Sequence, residues 1–163
     1  MKLPNNTCSN LKTNGGCAIY QTRPTVCQNW FCAWRNLPEL DENWRPDKSG
    51  VLVEFTEENF PPPFSGRVGF RFTILDKKKL KNNNKLAKFL IKQINNGVPC
   101  LLTFGLEKNT EPATAFLNFA LNNAIKTNDI NNILHELNKA IEACEKMPKI
   151  KVAIENGQLI YEN

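Results

Sequence analysis

The sequence predicts an α+β or α/β fold, in which a small loop-rich lobe, stapled through its cysteines, lies on a mixed sheet with about three helices. Three observations lead to this prediction. Residues 1–50 hold four of the six cysteines and show no sustained helical or strand periodicity. Residues 68–104 have the pattern of a strand, a helix and a strand, and two strand-like runs near the C-terminus are joined by Asn156-Gly157. We therefore expect a cysteine-cluster metal-binding lobe over residues 1–50 and an α/β body over residues 51–163, packed as one unit.

The first half of the body contains three predicted strands and one helix. Residues 51–55 and 68–75 are rich in β-branched and aromatic side chains, and residues 98–104 form a third apolar run. An apolar stripe with a period near 3.6 predicts a helix over residues 85–95. A strand, a helix and a strand in close succession predict a βαβ unit, so the second and third strands should be parallel members of one sheet.

Two further helices and a hairpin are predicted in the second half. Residues 112–126 and 129–146 both carry apolar residues three and four positions apart, and Pro112 suits the first turn of a helix. Residues 151–155 and 158–162 are expected to form a C-terminal β-hairpin, because the Asn-Gly dipeptide between them favours a type I′ turn.

Composition and charge limit the class of protein. The chain is 41% hydrophobic and 23% charged, which is typical of a soluble globular protein. No apolar run approaches the roughly 20 residues of a membrane-spanning helix, and the N-terminus lacks the apolar core of a secretory signal. The expected compartment is the cytoplasm, where thiols stay reduced and clustered cysteines usually bind metal or act in catalysis.

The formal net charge of +5 is concentrated in the middle of the chain, where residues 76–99 hold seven lysines against Asp76 alone. The face between Lys77 and Lys92 is a candidate for contact with nucleic acid or anionic lipid. A solvated helix flank is the more common reading of such a pattern, so we do not expect a nucleic-acid partner.

Cys8, Cys17, Cys27 and Cys32 are the candidate metal ligands. Eight, nine and four residues separate them, so four thiols fall within a short stretch of loop-rich chain. Four thiolates complete a tetrahedral zinc site, and four cysteines also hold iron–sulfur clusters. The spacings lack the two Cys-x-x-Cys pairs of a zinc ribbon, so disulfides and unliganded thiols remain alternatives from the residues alone.

The other two cysteines and the lone histidine have simpler interpretations. Cys100 and Cys144 lie in apolar patterns and are expected to be buried structural thiols. His135 flanks the apolar stripe of a predicted helix, where we expect a surface position.

Residues 16–34 carry a distinctive motif, Gly-Cys-x-Ile-Tyr-x-x-Arg-Pro-x-x-Cys, followed by a further Cys and a Trp. It is matched at Gly16, Cys17, Ile19, Tyr20, Arg23, Pro24, Cys27, Cys32 and Trp34. In these residues the chain resembles the bacterial YkgJ-like cysteine-cluster family, which is described as a zinc- or iron-chelating domain. Residues 44–51, Trp-Arg-Pro-Asp-Lys-Ser-Gly-Val, are similar to a segment of one branch of that family, so the resemblance covers about residues 7–55.

The resemblance implies that Cys8, Cys17, Cys27 and Cys32 hold a metal ion. Members of the family usually carry a further Cys-x-x-Cys-Cys cluster before this motif, which the present sequence does not show. With four cysteines in place of about eight, one zinc ion is favoured over two ions or a cluster, and iron or an iron–sulfur cluster is the alternative cofactor.

The remaining positions of the motif would support such a site. Arg23 would donate hydrogen bonds to thiolates or to backbone carbonyls. Tyr20, Trp30 and Trp34 would form an apolar jacket against the metal lobe, although ordinary packing is the simpler interpretation of each.

The expected function is that of a small metal-binding protein with a structural ion, whose body is an interaction or ligand-binding module for an unknown partner. An alternative is a metal- or iron–sulfur-dependent enzyme of protein modification, because relatives of the family include flagellin lysine methylases. Against an enzyme, the sequence has no glycine-rich phosphate loop, nucleophile elbow or paired histidine ligands. A second alternative is nucleic-acid binding through the face between Lys77 and Lys92.

Overall fold

The computed structural model describes residues 3–80 and 82–162 and has an α+β architecture, with a four-stranded mixed sheet and a separate two-stranded hairpin. The strands are β1 (Val51–Thr56), β2 (Gly69–Ile74), β3 (Cys100–Phe104), β4 (Ala113–Phe116), β5 (Lys151–Glu155) and β6 (Gln158–Glu162). The helices are α1 (Thr25–Asn29), α2 (Ala33–Asn36), α3 (Pro46–Ser49), α4 (Asn84–Asn95), α5 (Leu117–Ala120), α6 (Asn122–Thr127) and α7 (Ile130–Lys146). None of the described helices is long and apolar enough to cross a membrane.

The large sheet has the strand order β1-β2-β3-β4, with its parallel pair in the centre. β1 runs antiparallel to β2, and β4 runs antiparallel to β3. β2 and β3 are parallel, with Phe70 opposite Cys100, and α4 lies between them in sequence. A tight turn cannot join parallel strands, so α4 is the crossover that brings β3 alongside β2. The βαβ prediction is therefore confirmed.

β2 starts at a glycine because the chain approaches β3 too closely there for a side chain. A Cβ atom on Gly69 would lie 2.3 Å from the carbonyl oxygen of Pro99 and 2.9 Å from the ring of Phe60. The next residue, Phe70, donates its backbone N–H to the same Pro99 oxygen at 2.9 Å. The absence of a side chain at position 69 thus allows the parallel ladder to begin.

The aromatic side chains of β2 pack against α4. The ring of Phe89 lies 5.4 Å from that of Phe70 and 6.1 Å from that of Phe72, measured between centroids. Trp44 meets the same Phe89 ring edge-on at 5.2 Å and is 6% exposed. Trp44 comes from the cysteine-rich part of the sequence, so one core includes residues on both sides of position 50.

α7 is the longest described helix, and it contacts α4, β3 and β4. Its Asp129 cap accepts a hydrogen bond from the Asn131 N–H at 2.9 Å, and the helix ends at Lys146, which confirms the prediction for residues 129–146. The residues it buries lie three or four positions apart, as the apolar stripe predicted: Ile133, Leu134, Leu137, Ala140, Ile141 and Cys144.

The predicted helix over residues 112–126 is wrong in its first part. Residues 113–116 form β4, with Leu101 opposite Phe116 and Phe104 opposite Ala113. Thr and Phe favour strands, and the unpaired edge of β3 offers backbone hydrogen bonds that outweigh a weak helical preference. Helix starts only at Leu117, and it is divided at Leu121 into α5 and α6.

Asn118 extends the β3–β4 ladder beyond the point where β4 turns into α5. Its side-chain Oδ1 accepts the backbone N–H of Cys100 at 2.7 Å, and its Nδ2 donates to the carbonyl of Val98 at 2.9 Å. The residue is 6% exposed. One buried side-chain amide therefore takes the place of the next peptide group of β4 and satisfies two backbone groups.

Residues 105–111 form a connecting loop to which two other parts of the chain are attached. The N–H of Val152 in β5 donates to the Asn109 carbonyl at 2.8 Å, so the outer edge of β5 is held by this loop. From the other end of the chain, the side-chain amide of Asn5 donates to the carbonyls of Glu107 at 3.2 Å and Thr110 at 3.0 Å. The loop therefore holds both the N-terminal residues and the hairpin.

The hairpin is formed as predicted. β5 and β6 pair antiparallel from Lys151 opposite Glu162 to Glu155 opposite Gln158. The two turn residues have positive φ, 50° at Asn156 and 79° at Gly157, which is the backbone geometry that a type I′ turn requires.

Candidate metal centre

Cys8 and Cys17 lie on the two arms of a tight chain reversal. Gly15 and Gly16 have φ of 87° and 83°, a left-handed conformation that glycine adopts without strain. Across this turn the Lys12 N–H donates to the Gly16 carbonyl at 3.0 Å and the Ala18 N–H donates to the Asn10 carbonyl at 2.7 Å, and Leu11 forms an isolated antiparallel bridge with Cys17. The chain thus folds back between these two cysteines.

Cys27 lies on α1, next to a second turn that Arg23 and Pro24 organise. The Pro24 carbonyl accepts the Cys27 N–H at 2.8 Å and thereby starts the helix. The Arg23 guanidinium donates to the Tyr20 carbonyl at 2.8 Å and lies 3.9 Å from the centre of the Tyr20 ring. Of the two roles expected for Arg23, the structure contains the bond to a backbone carbonyl.

Cys32 is attached to the sheet rather than to the other cysteines. Its Sγ donates to the carbonyl of Val53 in β1 at 3.3 Å, and the residue is 6% exposed. Burial raises the pKa of the Cys32 thiol, so in this arrangement the sulfur is protonated at neutral pH. Cys32 would have to give up both its proton and this hydrogen bond before it could bind a metal.

The four cysteines are free thiols. Cys8 and Cys27 are exposed, and Cys17 is half-buried. Their chemistry fits zinc or iron, but within residues 3–80 and 82–162 no three His, Cys, Asp or Glu side chains are placed together as a metal-binding group. The convergence of the four sulfurs on one point stays a prediction.

The segment that carries three of these cysteines is held at its ends and buries nothing between them. Residues 3–31 include no buried residue. At one end Asn5 is bound to the 105–111 loop, and the Asn109 N–H donates to the Pro4 carbonyl at 3.1 Å. At the other end Cys32 and Ala33 enter the core. The cysteine segment is therefore a long surface loop with fixed ends.

The aromatic residues of the motif differ in their environments. Tyr20 and Trp30 are 59% and 50% exposed, and the Trp30 indole N–H donates to Glu54 Oε2 at 3.3 Å. Trp34 packs against the core. The tryptophan that is fully part of the core is Trp44, which stands out in the sequence only as part of the family-like segment of residues 44–51. Its buried role has no local signal, because it depends on Phe89 far along the chain.

Three of the seven lysines between Lys77 and Lys92 form ion pairs with other described parts of the protein. A hydrogen bond from Lys85 lowers the pKa of the Asp41 carboxyl. The ion pairs join Lys77 to Glu145 at 2.6 Å, Lys85 to Asp41 at 2.9 Å, and Lys92 to Glu39. Lys79 donates a hydrogen bond to the backbone carbonyl of Asp47 at 2.6 Å. Fewer ammonium groups are thus available for a phosphate backbone.

The two remaining cysteines are buried, as expected, and His135 is exposed on α7. Burial raises the pKa of Cys100 to about 12, and it also raises the pKa of Cys144. Cys144 borders a cleft of about 380 Å³ between the 105–111 loop and the end of α7, which sequence reasoning did not identify. Glu107 and Lys149 form an ion pair at this cleft. Its position follows from the path of the loop, for which no sequence motif provides a signal.

Comparison with known proteins adds no relative: no family model matches the chain, and no curated protein or solved structure matches it significantly.

Proposed function

We propose that this chain is a small metal-binding protein in which Cys8, Cys17, Cys27 and Cys32 bind one zinc ion, with iron as the alternative metal. The ion is structural. The observation that carries the proposal is the cysteine segment: residues 3–31 include three free cysteines and no buried residue, although the segment is held at both ends. A loop of this kind has no core of its own to order it, and a four-thiolate ion would supply one.

The energetics favour a structural role over a catalytic one. Structural zinc contributes about 10 to 16 kcal/mol of apparent binding free energy in short peptides at neutral pH. Opposed to this are the loss of the hydrogen bond from Cys32 to the Val53 carbonyl, about 1 kcal/mol, and the extra cost of deprotonating the Cys32 thiol, whose pKa is raised by burial. Four thiolates close the coordination sphere and leave no position for substrate, which supports a structural ion.

The direction of the pH dependence follows from the thiols. Burial raises the pKa of Cys32, and only the thiolate binds metal, so binding releases protons. Affinity for zinc should therefore fall as the pH is lowered.

The proposal is tested on reduced, anaerobically purified protein. Elemental analysis and an absorption spectrum identify the metal, since zinc sites are colourless and iron–sulfur clusters absorb visible light. Amide exchange over residues 8–31 is then measured with and without a strong chelator. We expect one metal per chain and a loss of protection in that segment when the metal is removed.

Two variants make the assignment specific. Cys27→Ser removes an exposed thiol of the motif and should abolish stoichiometric zinc binding. Cys144→Ala, which also removes one thiol, should bind zinc as the unmodified protein does, because Cys144 is buried in α7. Unchanged protection after the metal is shown to be gone, or equal binding by both variants, would refute a structural four-cysteine site.

The proposed role of the body is interaction. What supports it is the amount of apolar surface exposed on the hairpin, where Ile154 and Leu159 are 38% and 37% exposed and Tyr161 is 58% exposed.

A further inference from the structure

The outer edge of β6 is an unprotected strand edge. β6 pairs with β5 on one side, and none of its backbone groups bonds to any described residue outside the hairpin. Charged side chains, proline and bulges usually keep a strand edge from pairing with another chain, and in β6, Gln-Leu-Ile-Tyr-Glu, the one such feature is Glu162 at its end. An isolated two-stranded hairpin is also only marginally stable in water, so further strands would stabilise it.

The geometry of the hairpin determines which backbone groups of β6 face outward. Around a two-residue turn the flanking pair, Glu155 and Gln158, is hydrogen-bonded, and the pairs then alternate. The N–H and C=O groups therefore point away from the partner strand in two of the pairs, Val152 with Tyr161 and Ile154 with Leu159. The bond from the Val152 N–H to the Asn109 carbonyl, outside the hairpin, agrees with this assignment. On the free edge, the outward groups belong to Leu159 and Tyr161.

These outward groups match those of a second β6 in antiparallel orientation. With a two-fold axis at Ile160, Leu159 of each chain lies opposite Tyr161 of the other chain. Each of these two pairs forms two backbone hydrogen bonds, which gives four in all. On the same face as Leu159 and Tyr161, apolar side chains meet apolar ones. On the opposite face Ile160 meets its own copy, and the Gln158 amide meets the Glu162 carboxylate as a donor to an acceptor.

We propose that two copies of this chain associate through β6 about a two-fold axis at Ile160, giving a continuous four-stranded antiparallel sheet in the order β5-β6-β6-β5. The sequence of β6 is polar at both ends and apolar in its three central positions, so it complements itself in this register. Centring the axis on Leu159 keeps the backbone match but places Tyr161 opposite Gly157, and centring it on Tyr161 places Leu159 beyond the end of the other β6 at Glu162. The occupant that fits the edge best is therefore a second β6.

The register is tested by disulfide cross-linking. At the axis, the Cα atoms of a non-hydrogen-bonded pair lie about 4.5 Å apart, within the range of a disulfide. Ile160→Cys should therefore cross-link to itself under mild oxidation. The matched control is Gln158→Cys on the same face, whose two copies would be about 13 Å apart, too far to bond. Trypsin cleavage after Lys151 separates β6 from all six cysteines of the sequence, so a disulfide-linked pair of the peptides that begin at Val152 identifies the site unambiguously.

The backbone pairing is tested by sedimentation of the full chain over a range of concentrations. Tyr161→Pro removes an outward N–H that the hairpin does not use, and by symmetry it removes two intermolecular hydrogen bonds. We expect its dimer dissociation constant to rise by about tenfold or more. The control Tyr161→Thr keeps the N–H and a good strand former, so it should weaken association less than Tyr161→Pro does.

Three outcomes would overturn the proposal. One is a monomer at every concentration tested. Another is a dimer that Tyr161→Pro leaves intact and Ile160→Cys does not cross-link, which would place the interface on another surface. The third is cross-linking of Gln158→Cys as complete as that of Ile160→Cys, which would exclude the two-fold axis at Ile160. Association and zinc binding are measured separately, so either proposal can fail while the other stands.

Discussion

Replacing Asn118 with alanine removes the side-chain amide that continues the β3–β4 ladder, and the cost can be worked out group by group. The Cys100 N–H loses its acceptor at a residue with no exposed surface, which costs about 2 kcal/mol. Val98 is half-buried, so its carbonyl can be rehydrated in part, and the loss of the hydrogen bond from Asn118 costs about 1 kcal/mol. Alanine regains about 0.6 kcal/mol through its higher helix propensity in α5. The expected loss is therefore about 2 to 3 kcal/mol of unfolding free energy.

The measurement is urea unfolding followed by circular dichroism, with the slope of free energy against denaturant compared between variants. Asn123→Ala is the matched control, because Asn123 is exposed on α6 and its replacement should change stability by less than about 0.5 kcal/mol. A loss below about 1 kcal/mol for Asn118→Ala, at an unchanged slope, would refute the idea that its amide substitutes for a strand peptide group.

Two further substitutions test the sheet. Thr103→Val should stabilise the protein by about 1 kcal/mol, because the buried Thr103 hydroxyl has no hydrogen-bond partner among the described residues. The control Thr114→Val, at the exposed position opposite Thr103, should change the stability little. A loss of stability in Thr103→Val would contradict this reasoning. Gly69→Ala should lower the free energy of unfolding by about 1 to 3 kcal/mol, measured by thermal or urea unfolding, since its Cβ would lie 2.3 Å from the Pro99 carbonyl oxygen. Unchanged stability would show that the backbone at residues 69 and 99 can move apart without cost.

The elements that local patterns specify were predictable. The apolar stripes of α4 and α7, the β-rich runs of β2 and β3, and the Asn156-Gly157 turn each carry their signal within a few residues. β4 was not predicted, because its four residues adopt the strand conformation only through pairing with the edge of β3. A hydrogen-bonding edge supplied by another part of the chain leaves no trace in the local periodicity.

The chemistry of the candidate site could be predicted from the sequence, but the positions of its residues in the fold could not. The four cysteines stand out by number and motif, but the position of Cys32 depends on its hydrogen bond to Val53 in β1. The anchor at Asn5 was equally invisible, because an asparagine near the start of a chain looks like any other polar loop residue. Its partners lie in a loop whose position is decided only once the sheet has formed.

The Asn5 anchor also sets an order of events during synthesis. Its side chain bonds to Gly105, Glu107 and Thr110, which are 100, 102 and 105 residues further along the chain. A ribosome therefore releases the cysteine segment long before its docking loop exists, and domains acquire their long-range contacts only after the later strands emerge. Cys8, Cys17 and Cys27 spend that interval on an untethered chain, open to oxidation or to premature capture of an ion. The residues around Asn5 are made long before the loop that holds them and are among the last to be fixed in place.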